Sequence, residues 1–154
     1  MKEETKSQLD SLTEKYQQKL IEMVKSKERE KIEEQNLINK FKQLKKNVIN
    51  PTMKDIGNYL KSFDHDYHLH EQEEKITMEI FQAGIDRSSY TTYDTPSISF
   101  DLDKDDMKIC IHTCTYIPGR RGKSGLKEEG YDIDQINVDL VERVILDVLK
   151  EILN

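Results

Sequence analysis

The sequence has no tryptophan, only two cysteines, three prolines and six glycines in 154 residues. Two cysteines cannot supply the disulfide framework of a small secreted domain, so burial alone must hold the core, and a reducing, cytoplasmic setting is expected. No run approaches the roughly 18 consecutive apolar residues of a membrane span, and the first thirty residues lack the apolar centre of a secretory signal. No membrane association is expected.

Charge is plentiful but uneven. Residues 1–50 carry a net charge of +3 and residues 51–154 a net of −9, giving the overall −6. The polar excess lies in the first third, which leaves the remainder apolar enough to bury a core.

The first 48 residues contain neither glycine nor proline and are rich in good helix formers, which predicts one long helix over residues 1–49. Leu9, Tyr16, Met23, Leu37 and Leu44 fall on a seven-residue spacing, with Leu20, Phe41 and Val48 on a second row beside them. These eight residues form the expected oligomer seam. The same frame puts Lys27, Glu30 and Glu34 on the seam, so "KSKEREKIEEQ" interrupts any coiled coil with a hydrophilic gap. A helix this polar needs company, which points to self-association and a protein partner.

Residues 50–154 read as an α+β domain. Asn50 as cap and Pro51 at the first helical position open a helix over about 51–63, with Met53, Ile56, Leu60 and Phe63 as its apolar stripe. The period then switches to two, predicting a four-stranded antiparallel meander near residues 66–70, 75–82, 97–102 and 107–117. Its inward face is Tyr67 and Leu69, then Ile76, Met78 and Ile80, then Ile98, Phe100 and Leu102, then Met107, Ile109 and Ile111. A final helix over about 134–153, capped by Asp132 or Asp134, carries a broad stripe through Val138, Val141, Ile145, Val148, Leu149 and Ile152. The fold expected is therefore a long helix followed by a meander packed against helices.

No motif names a reaction. "KICIHTC" sets Cys110, His112 and Cys114 two residues apart, but on a strand the cysteines stand about 13 Å apart, too far to share a zinc ion. A metal site would draw on His68, His70, Cys110 and His112 across strands, a geometry a simple meander disfavours. "GRRGKSG" resembles a phosphate loop only in part, since Ile117 occupies the place of its first glycine and no helix follows. It leaves Arg120, Arg121, Lys123 and Lys127 as anion- or partner-binding candidates. No nucleophile has a base at a diagnostic spacing, and no cofactor is expected. A non-catalytic oligomerising interaction module is the leading expectation. Nucleic-acid association through Lys40, Lys42, Lys45, Lys46 and the Gly/Arg loop is the alternative, and a small metal protein or enzyme a second.

Overall fold

The computed structural model describes residues 1–90, 95–118 and 125–154. They form two compact units, Met1–Asn36 and Leu37–Asn154. The first unit is helical from Glu3 onward as part of α1 (Glu3–Leu44), and all of residues 1–36 are exposed.

Helix does not stop at Asn50. A π-helical turn, Lys45–Ile49, joins α1 to α2 (Asn50–Lys61), so helical backbone runs without a break from Glu3 to Lys61. Pro51 is the reason for the π turn. It has no N–H to donate, and its ring would collide with the carbonyl four residues back in a regular α-helix. Widening the turn relieves this: the Asn50 N–H bonds the Lys45 carbonyl five residues back, and the Thr52 hydroxyl donates to the Val48 carbonyl at 2.7 Å. Asn50, expected as a cap, has ordinary helical dihedrals instead (φ −60°, ψ −49°).

The sheet has five strands, not four: β1 (Asp66–Gln72), β2 (Lys75–Phe81), β3 (Ser97–Asp103), β4 (Lys108–Cys114) and β5 (Leu126–Tyr131). They pair antiparallel in chain order, a plain meander. Register puts Leu69 beside Met78, Met78 beside Ile98, Ile76 beside Phe100, and Phe100 beside Ile111, which lines up the inward faces read from the sequence. β5 gave no sequence signal because Lys127, Glu128 and Glu129 occupy both of its faces. It is held by its main-chain ladder to β4, and its charges suit an outer edge.

α3 (Val138–Ile152) buries Leu140, Val141, Val144, Ile145, Val148, Leu149 and Ile152. It begins later than expected, since the Asn137 side chain accepts from the Leu140 N–H at 2.8 Å, while Asp132 caps a separate 3-10 turn, Ile133–Gln135. Three residues assigned to the core are exposed: Val138 precedes the buried stripe, Phe63 lies past the end of α2, and Met107 sits in the β3–β4 turn. Met107 has φ 53°, in the left-handed region, where its side chain has no sheet neighbour. Among the described residues, no helix is long and apolar enough to cross a membrane.

Lys45 fastens the π turn to the first hairpin. It is 4% exposed, lies 5.3 Å from the Phe41 ring centroid, and its Nζ donates to the carbonyls of Gln72 and of Glu73, the latter at 2.8 Å. Burial lowers its pKa below the ordinary 10.5, against the opposing pull of Glu71 and Glu73. Lys45→Met, which keeps the stem and loses both bonds, should cost about 1–3 kcal/mol in urea unfolding. The pH dependence follows from the lowered pKa. Just below pH 10.5 the unfolded chain holds this proton more tightly than the folded one, so the lysine's contribution rises as pH climbs to 10.5 and falls as pH drops through the folded value. The stability difference between wild type and Lys45→Met should widen over that window.

Candidate interaction surfaces

The eight seam residues divide into two groups. Leu9, Tyr16, Leu20 and Met23 are 42–63% exposed on α1, whereas Leu37 and Phe41 are buried core residues of the second unit, with Leu44 and Val48 packed against that core. Leu12, at 63% exposure, belongs to the exposed group and was missed because the seven-residue frame was followed rather than the three-residue step from Leu9. Ile21, Val24 and Ile32 are also more than half exposed. So many large apolar side chains exposed along one helix form a surface that water does not favour.

The helices pack on the apolar face of the sheet, and the opposite face is polar. Register aligns His70, Thr77, Ser99, His112 and Glu128 in one row across all five strands, with the Thr77 and Ser99 hydroxyls 2.7 Å apart. At the β1 edge, His68 Nδ1 lies 3.1 Å from His70 Nε2, and His70 Nε2 also meets the Glu79 carboxylate. Beside them the Arg87 guanidinium stacks 4.1 Å from the Phe81 ring centroid and pairs with Asp66 at 3.3 Å. These groups line a shallow hollow with Tyr90 and Thr95.

A second hollow on the same face holds Cys110 and His112 among Asp101, Asp103, Asp105 and Glu128. Burial raises the Cys110 pKa, and Asp103, Glu128, Asp101 and Asp106 raise it further, so the thiol is kept protonated and is a poor nucleophile. His68 and His70 stand on the first strand and Cys110 and His112 on the fourth, about three strand spacings or 14 Å apart. The fold does not bring the four together, and among the described residues no three His, Cys, Asp or Glu side chains converge as metal ligands.

Of the basic-loop candidates, Arg120, Arg121 and Lys123 lie outside the described residues, as does Tyr93 of the hydroxyl-rich loop. Lys127 is on β5, exposed, with Nζ 3.9 Å from Glu151. Of the four helix lysines, Lys40, Lys42 and Lys46 are exposed, but Lys45 is committed to the hairpin carbonyls and cannot reach a phosphate. No protein-family model, curated protein or solved structure matches this chain.

Proposed function

We propose that this protein is a non-catalytic interaction module that self-associates through the exposed apolar face of α1 and carries its α+β domain as the part offered to a protein partner. The observation that supports this reading is the exposure of Leu9, Leu12, Tyr16, Leu20 and Met23, five large apolar side chains on one helix face. Both histidine clusters lack an activated nucleophile, and the one thiol among them is held protonated. Association multiplies a weak contact made by the domain, because two linked sites act at high effective concentration.

Sedimentation equilibrium of the full chain tests the reading. Wild type is expected to run as a dimer at about 100 µM, and Leu12→Glu/Leu20→Glu as a monomer with an unchanged thermal midpoint, since both positions lie outside the domain core. A wild-type monomer at that concentration overturns it.

A further inference from the structure

We infer that two copies of this chain pair antiparallel through Leu9–Met23, with Tyr16 on the two-fold axis; this rests on the self-association proposed above. The exposed face is Leu9, Leu12, Tyr16, Leu20 and Met23, whose steps are three, four, four and three residues. That series reads the same in both directions. An antiparallel partner therefore meets every one of the five: Leu9 with Met23, Leu12 with Leu20, Tyr16 with Tyr16, and the same pairs again across the axis. At about 100° per residue these five side chains stay within a narrow band on a straight helix, so no supercoil is needed to keep the faces together.

A parallel pair would also match apolar residues, but the polar gap decides against it. Lys27, Glu30, Lys31 and Glu34 lie 11, 14, 15 and 18 residues beyond Tyr16, within about 60° of its direction on the helix. A parallel, in-register pair sets each of these charges against its own copy, four like-charge layers in succession. In the antiparallel register Lys27 falls opposite Thr5 and Glu30 opposite Lys2, so the like-charge layers are removed and an attractive contact is made at each end. The same geometry places the two copies of Asn36, twenty residues from Tyr16 and on the far side of the helix, about 60 Å apart along the pair.

Disulfide trapping with peptide mapping by mass spectrometry reads the register directly and leaves Cys110 and Cys114 in place. Leu9→Cys mixed with Met23→Cys should give mainly 9–23 links, and Tyr16→Cys should link to itself. Because a seam substitution can weaken the pair, Asn36→Cys provides a second measurement with the seam intact: spin labels there should report a distance near 60 Å, with labelled native-cysteine protein as the background. Links of 9–9 and 23–23, or an Asn36 distance of about 20 Å, overturn the antiparallel pairing while leaving self-association standing. A monomeric mass together with no Tyr16→Cys link overturns both.

Discussion

Replacing Phe41 with alanine is expected to lower the unfolding free energy by about 3–5 kcal/mol, and the thermal midpoint by on the order of 10–20 °C. The ring is fully buried against the second unit's core and under the Lys45 ammonium, so truncation removes its transfer energy and leaves a cavity in a close-packed region. Tyr16→Ala supplies the contrast. Tyr16 lies 25 residues earlier, within about 20° of the same helix direction, yet is 63% exposed. Its truncation should leave the domain's thermal midpoint within about 2 °C while weakening self-association, as read by calorimetry and sedimentation on the same samples. Equal destabilisation by the two substitutions would show that the first unit's helix face is buried in the folded monomer.

Gly57 is the other position where a single methyl should matter. A Cβ there would lie 2.5 Å from Cδ1 and Cε1 of Tyr67 and 2.7 Å from its Cγ, so the whole ring blocks the space rather than the tip of a mobile chain. The ring is itself fixed, with its hydroxyl donating to Asn58 Oδ1 at 2.9 Å and Lys61 Nζ 5.2 Å from its centroid. On an unobstructed helix, glycine to alanine stabilises by about 1 kcal/mol. Here Gly57→Ala should instead destabilise by about 1–3 kcal/mol, because α2 must move off β1 or Tyr67 must leave its rotamer. In a Tyr67→Ala background the sign should reverse. Guanidinium denaturation of the four members of this cycle measures the coupling, and no sign change would mean that something other than the ring enforces glycine.

Much of the architecture was legible in the residues. The helical run before Pro51, the alternation of Ile76, Met78 and Ile80 and of Ile98, Phe100 and Leu102, and the stripe of α3 all follow from one rule: a half-buried element shows its period. The same rule explains the misses. β5 is bonded through its backbone and buries almost nothing, so alternation had nothing to mark it. Pro51 read as the start of a new helix because the π turn that lets it continue depends on packing around Lys45, which no periodicity reports.

What the sequence determined by itself was the face of each element: which side chains share a stripe, and that one stripe runs the length of the first helix. Only the tertiary structure decided what meets that stripe. Phe41 is enclosed by the domain while Tyr16 faces solvent, and His68 and His112 share one sheet face at separate strands. The physical reason is that helix and strand geometry fix direction locally, within a few residues, whereas burial depends on contacts between residues far apart in the chain.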